Sequence, residues 1–265
     1  MDAQRIKFLN VPIDIVNPED LPNVISGFLA AAKSPPPRAT VLRGLDDRQP
    51  VKGQNIVLLS LSDLLRARRS GEYRNYVCNA ALVIPISKCI VSGARFLTGK
   101  QVFRYMPFKF VINLLSILER QEHSLYLLGS KSRMLRKAEK NIHATFPRLN
   151  IVGRHEGGMR KKEESDVIQA IRKSSAALLL VGKGGIRGKE LWIARNSRKI
   201  NSGMRLWCSD LFDVFAERKH RPSDTVFNMG LEGLGLCFRN PLRFFRFFSY
   251  VRYKLLLLFY KIFVR

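Results

Sequence analysis

Three short glycine loops carry the first sign of chemistry in this sequence. Gly129-Ser130, Gly157-Gly158 and Gly182-Lys183-Gly184-Gly185 each follow closely on an apolar run, and glycine lets backbone N–H groups approach a phosphate. Lys131, Arg160, Lys183 and Arg187 stand beside them. One glycine after a strand is equally a tight turn, but several such loops with cations close by point to an anionic ligand. Metal chemistry is not indicated: Cys78, Cys89, Cys208 and Cys237 form no C-x-x-C pair and have no histidine at zinc-finger spacing. No disulfide framework is suggested either, so a reducing compartment and no cofactor are expected.

Loops of this kind need a sheet to hold them. Residues 125–129 (LYLLG) read as a strand, 131–145 as a helix with an exposed basic face, and 149–153 (LNIVG) as the next strand. A helix over 163–174 and a strand over 177–182 follow. Strands alternating with helices predict an α/β fold with a mostly parallel, doubly wound, Rossmann-like sheet, whose ligands sit beyond the carboxyl ends of the strands. Upstream, residues 8–17 read as one short strand. Pro18 to Pro22 opens a helix carrying Ile25, Phe28 and Leu29 on one face, and Pro35, Pro36 and Pro37 end it. Residues 55–61 are a buried-strand candidate, Ser62-Asp63 caps a helix through Arg66 to Arg69, and 81–85 is a further strand.

With 265 residues, 46% of them hydrophobic, the chain can bury a full core, while its formal charge of +25 draws it toward phosphates of nucleic acid, anionic lipid or a nucleotide-linked substrate. The end of the chain separates these. No acid follows Glu232, and Arg239, Arg243, Arg246, Arg252, Lys254, Lys261 and Arg265 are interleaved with aromatic residues from Phe244 to Phe263. Rings at headgroup depth with cations on anionic lipid are what interfacial membrane binding requires. An ordinary core helix with arginines on its solvent side is the plainer alternative. Single-stranded nucleic acid also suits a basic aromatic surface, but the greasy run Leu255 to Leu258 serves lipid and not bases, so no nucleic acid is expected. The reading divides the chain into an α/β domain over 1–222 and a C-terminal helical membrane-binding appendage over 223–265. The longest apolar runs, 176–181 and 255–260, are too short to span a bilayer, and the opening MDAQRIKFLN lacks the apolar region of a signal peptide. A cytoplasmic protein, peripheral on the inner face of the cell membrane, is expected; self-association is left open.

In order, these segments resemble the WecG/TagA/CpsF family of bacterial glycosyltransferases. The stretch LYLLGSKSRMLRKAEKNIHATFPRLNIVGRHEGG, residues 125–158, is similar to the family's strand, Gly loop, helix, turn, strand and His-Gly loop. Further similarity lies in RARRSGEYR (66–74), NAALVIP (79–85), ELWIAR (190–195), Phe212-Asp213 and MGLEGLGLCFRNPLR (229–243), so it covers about Val11 to Tyr253. The resemblance implies a hexosyltransferase-type enzyme of cell-envelope polysaccharide biosynthesis. Such an enzyme moves an N-acetylmannosamine-type sugar from a UDP-sugar donor to a polyprenyl-diphosphate-linked acceptor, with a C-terminal appendage on the membrane.

The departures from the family fall where its chemistry is kept. The Pro-Asp-Gly motif, whose Asp is the family's proposed general base, is here Pro85-Ile86-Ser87, and an aliphatic side chain accepts no proton. Thr-Pro-Asn is similar to Leu58-Leu59-Ser60, Arg-Val-x-Gly-x-Asp keeps only Arg104, and Gly-x-Gly-x-Pro-Lys-Gln-Glu becomes GKGGIRGKE over 182–190. If the base has moved, Asp210 or Asp213 is the acidic candidate, with Asp213 the one favoured. Arg104, Arg239 and Arg243 then stabilise the departing diphosphate, and Gly129, Ser130, Gly182, Gly184 and Glu190 complete the expected substrate site. The alternative is a catalytically silent relative that binds nucleotide sugar, lipid carrier or a partner enzyme.

Overall fold

The computed structural model describes residues 3–33, 54–160, 162–184, 186, 188, 190–200, 202–221, 223–230 and 245–263. Residues 8–17 do not form one strand. They turn back at Leu9 (φ 48°) and Asn10 (φ 65°), giving an antiparallel hairpin of β1 (Gln4–Phe8) and β2 (Val11–Ile15). Two successive left-handed residues match the twist of the flanking strands, and Asn tolerates that conformation. The buried Asp14 carboxylate ties the hairpin down, accepting from Arg5 Nε (2.7 Å), Arg5 Nη2 (2.8 Å) and the N–H of Val83 (2.6 Å).

After α1 (Leu21–Lys33) come β3 (Gln54–Leu59), α2 (Leu61–Ala67), α3 (Glu72–Cys78), β4 (Leu82–Pro85), α4 (Lys88–Thr98) and α5 (Pro107–Arg120). The alternation then continues through β5 (Ser124–Leu128), α6 (Ser132–Thr145), β6 (Asn150–His155), α7 (Glu164–Ser174), β7 (Leu178–Gly182), α8 (Glu190–Asn196) and β8 (Met204–Ser209). Short α9 (Leu211–Phe215) and α10 (Asp224–Met229) precede a final long helix, α11 (Phe245–Phe263). Strands β3 to β8 make a six-stranded sheet in the order β4-β3-β8-β7-β5-β6, with every pairing parallel.

Because both faces of a parallel sheet are covered, its strands are apolar throughout and their alternate residues feed two cores. Leu178 and Leu180 of β7 pack with α1, α5, α6 and α9 through Ile25, Phe110, Leu135 and Phe212. Leu179 and Val181 face the other layer, formed by α2, α3, α4, α7, α8 and α11 through Leu64, Tyr76, Ile90, Val167, Trp192 and Tyr253. The cap of α2 is Ser60 and not Ser62: Ser60 Oγ accepts the N–H of Asp63, and Asp63 returns a carboxylate to the N–H of Ser60.

Helix α11 is two-sided. Its inner face buries Tyr253 and Leu257, with the Tyr253 hydroxyl donating to the Cys89 carbonyl (2.5 Å) and Tyr260 Oη accepting from Asn10 Nδ2 (2.8 Å) and Arg68 Nη2 (3.4 Å). At roughly 100° per residue the opposite face gathers Phe248, Val251, Leu255, Leu258, Phe259 and Ile262, all of them exposed, Ile262 by 68%. Exposed Arg252 and Lys254 flank that stripe. Among the described residues no helix is long and apolar enough to cross a membrane.

Candidate functional site at the carboxyl edge of the sheet

The chain leaves β5 toward β6 and leaves β7 in the opposite direction toward β8, so their loops lie side by side at a switch point. The glycine loops do meet there, but they are knitted to one another. The N–H of Gly129 donates to the His155 carbonyl (2.9 Å), Ser130 to Lys183 (2.8 Å), Gly157 to Ser130 (2.9 Å) and Lys183 to Ser209 (2.7 Å). These four N–H groups are therefore spent on neighbouring loops. The glycines have another task. A Cβ on Gly129 would lie 2.4 Å from the Gly182 carbonyl oxygen, one on Gly184 2.6 Å from Ser130 Cα, and one on Gly182 2.3 Å from Phe212 Cδ2. The exposed Glu156 caps the start of α6, accepting from the N–H of Ser132 (3.1 Å).

Beyond β8 lies a charged cluster. Asp210 Oδ2 takes Lys219 Nζ at 2.5 Å and its Oδ1 faces Lys183 Nζ at 3.5 Å. Burial pushes this carboxyl up, but the hydrogen bond and charge of Lys219, with Lys183, hold it below the usual aspartate value. Asp213, in the first turn of α9, has a side chain 19% exposed between Arg218 Nη1 (3.7 Å) and Lys219 Nζ (3.8 Å). Its carbonyl accepts the N–H groups of Arg218 and Lys219, closing the turn that carries both cations.

The third group of loops follows β3 and β4. Half-buried Ile86 follows β4 directly, and its N–H donates to the Leu59 carbonyl (3.0 Å). Arg104 Nε donates to the Ile86 carbonyl (2.9 Å), Nη1 donates to the Phe227 carbonyl, and its Cζ lies 3.6 Å from the Phe227 ring centroid. Arg104 thus fastens α10 to the β4 loop, at the sheet edge where the sequence put it. Glu190 is not a solvated residue of the loop: it is buried and paired with Arg66, whose guanidinium lies 4.0 Å above the Tyr73 ring. Arg239 and Arg243 lie outside the described residues.

Sequence reasoning missed one carboxylate here. Asp63 is hydrogen-bonded to Ser60, and burial, offset by those hydrogen bonds and augmented by the charge of Glu190, holds its carboxyl above the usual aspartate value. The available signal was the Ser60-x-x-Asp63 spacing of a capping box. Among the described residues no group of His, Cys, Asp and Glu could hold a metal ion.

The edge therefore offers cations and carboxylates on loops that follow the strands of a parallel sheet. A family model described as "Glycosyl transferase WecG/TagA/CpsF family" matches residues 6–265. The match covers essentially the whole chain, and the protein belongs to the WecG/TagA/CpsF family of glycosyl transferases.

Proposed function

We propose that the protein transfers an N-acetylmannosamine-type sugar from a UDP-linked donor to a polyprenyl-diphosphate-linked acceptor, working on the cytoplasmic face of an anionic membrane. The observation that carries this beyond the family is the outward apolar stripe of α11, from Phe248 to Ile262, flanked by Arg252 and Lys254. A water-facing row of large apolar side chains on a helix already docked by its other face matches an interfacial helix. In the transfer, the acceptor oxygen bonds to the anomeric carbon, the bond from that carbon to the diphosphate breaks, and UDP leaves with the electron pair. Lys183, Arg104 and the motif arginines Arg239 and Arg243 are the cations proposed to meet that charge.

Ile86 at the end of β4, where the family carries its Asp, favours a second reading: a silent relative that binds the nucleotide sugar without turning it over. The test has two arms. Sedimentation with phosphatidylglycerol vesicles is expected to pellet the protein but leave the Leu255→Glu/Ile262→Glu double variant in solution; both side chains are more than 60% exposed, so its fold is kept. Equal pelleting would remove the membrane role. Titration with UDP, followed by UDP release from UDP-N-acetylmannosamine with a lipid-linked acceptor, separates the readings. Binding with turnover supports the transferase, and binding alone the silent relative.

A further inference from the structure

The carboxylate that the β4 loop lacks stands one strand away. Leu59 and Pro85 are register partners at the ends of β3 and β4. Beyond them the two turns stay joined: the N–H of Ile86 donates to the Leu59 carbonyl (3.0 Å), and the N–H of Leu61 donates to Ser87 Oγ (3.1 Å). Neighbouring strands are about 4.8 Å apart, so Asp63, in the first turn after β3, lies next to the turn where the family's base is missing.

Its geometry suits proton transfer. Asp63 Oδ2 receives both donors of Ser60, Oγ at 2.5 Å and N–H at 3.2 Å. Oδ1 has no hydrogen bond among the described residues. A carboxylate oriented through one oxygen and open at the other is how a positioned base is built. The groups facing it are Ser60 and Arg66 on its own turn and helix, Glu190 from α8 and the Tyr73 phenol from α3. A helix cap alone does not require the half-buried Asp63 to be a carboxylate, since Asn accepts the same two hydrogen bonds.

We propose that Asp63, oriented by Ser60, is the proton acceptor of the transfer, having taken over from the position now filled by Ile86. This rests on the transferase reading above. As the acceptor oxygen attacks the anomeric carbon, its proton moves to Asp63 Oδ1, the bond to the diphosphate breaks, and UDP carries away the electron pair. The protonated carboxyl then loses its proton to water.

The test measures UDP release from UDP-N-acetylmannosamine with a short polyprenyl-diphosphate-linked acceptor, for the full chain and for the Asp63→Asn, Ser60→Ala and Asp213→Asn variants. Thermal stability and UDP affinity are followed in parallel. Asp63→Asn is expected to lower kcat by about 10²–10⁴-fold, to leave UDP affinity and Tm unchanged, and to abolish the acid limb of the pH–rate profile. Ser60→Ala is expected to move that limb to higher pH, because the lost hydroxyl donor favoured the ionised carboxylate while the backbone N–H remains. A rate lost in Asp213→Asn but kept in Asp63→Asn would return the role to Asp213 and overturn the proposal. Wild-type rate in Asp63→Asn, or a loss that only tracks falling Tm and UDP affinity, overturns the proposal while the transferase reading stands. A wild type that binds UDP without turnover overturns it in favour of the silent relative, and one that does neither overturns both.

Discussion

Replacing Gly93 by alanine is a case in which helix propensity and packing disagree about the sign. Gly93 is buried inside α4, where Gly→Ala ordinarily stabilises a helix by about 1 kcal/mol. Here the added Cβ would lie 1.9 Å from the Tyr253 hydroxyl of α11, 3.1 Å from Tyr253 Cζ and 3.1 Å from Phe8 Cζ. The first distance is impossible, and the hydroxyl cannot swing aside without losing its bond to the Cys89 carbonyl. Overpacking of this kind costs about 1–3 kcal/mol, which outweighs the propensity gain, so Gly93→Ala should unfold at lower urea than wild type and α11 should become the first site of proteolysis. Tyr253→Phe tests the cause. Alone it loses one hydrogen bond, about 1 kcal/mol, and Cys89 keeps a second donor in Ser92 Oγ (3.2 Å). In the double variant the nearest remaining contacts are the 3.1 Å ones, which neighbouring side chains relieve by small shifts. The two substitutions should therefore couple favourably by about 1–2 kcal/mol in a double-mutant cycle. A Gly93→Ala protein more stable than wild type, or strict additivity, would refute the packing argument.

Gly157→Ala should be the more damaging of the loop substitutions, because its Cβ would meet the Gly184 carbonyl oxygen at 1.9 Å, and backbone cannot rotate away as a side chain can; a drop of several degrees in Tm with loss of UDP binding is expected, and retention of both would count against the knitted loops. Asp210, whose carboxyl is held below its ordinary value of 3.8, contributes stability that is present above that pH and is lost as pH falls through its lower folded value. The difference in urea midpoint between wild type and Asp210→Asn should accordingly be full at pH 6 and shrink as pH falls below 3.8, and a difference that does not change with pH would exclude the Lys219 and Lys183 pairing as its source.

Much of the sheet was legible because buried parallel strands are written as uninterrupted apolar runs. The runs over 125–129, 149–153 and 177–182 became β5, β6 and β7 with shifts of a residue or two. The hairpin was hidden for the opposite reason: FLNVPIDIVN keeps an apolar pattern straight through Leu9 and Asn10, and only the backbone reveals the reversal. The glycine loops were rightly gathered at one sheet edge, yet which N–H groups remain for a ligand depends on how three loops from distant parts of the chain meet. Composition carries no trace of that. Arg66 and Glu190 went unrecognised as a pair because residues 124 positions apart come together only through the β3-β8-β7 order of strands.

The position of α11 ties the membrane reading to the site. Tyr253 holds the carbonyl of Cys89, two residues beyond Ser87 and thus at the very start of α4, while Tyr260 meets Arg68 at the far end of α2. Both supporting helices begin at the carboxyl edge of the sheet, α2 with the Ser60–Asp63 cap and α4 immediately after Pro85-Ile86-Ser87. An α4 of 11 residues is roughly 16 Å long, and an interfacial helix settles about 5–10 Å into the headgroup boundary. On the reading proposed above, a bilayer resting on the outer stripe of α11 would bring the headgroup region within one short helix of the loops after β3 and β4. A polyprenyl diphosphate has its reactive end at that depth, so the same helix that anchors the protein would also set the height of the reacting sugar. Charge reversal on the stripe should for that reason cut turnover with a lipid-linked acceptor far more than it cuts UDP affinity in solution, and equal losses in both would mean that α11 supports the fold and not the encounter with lipid.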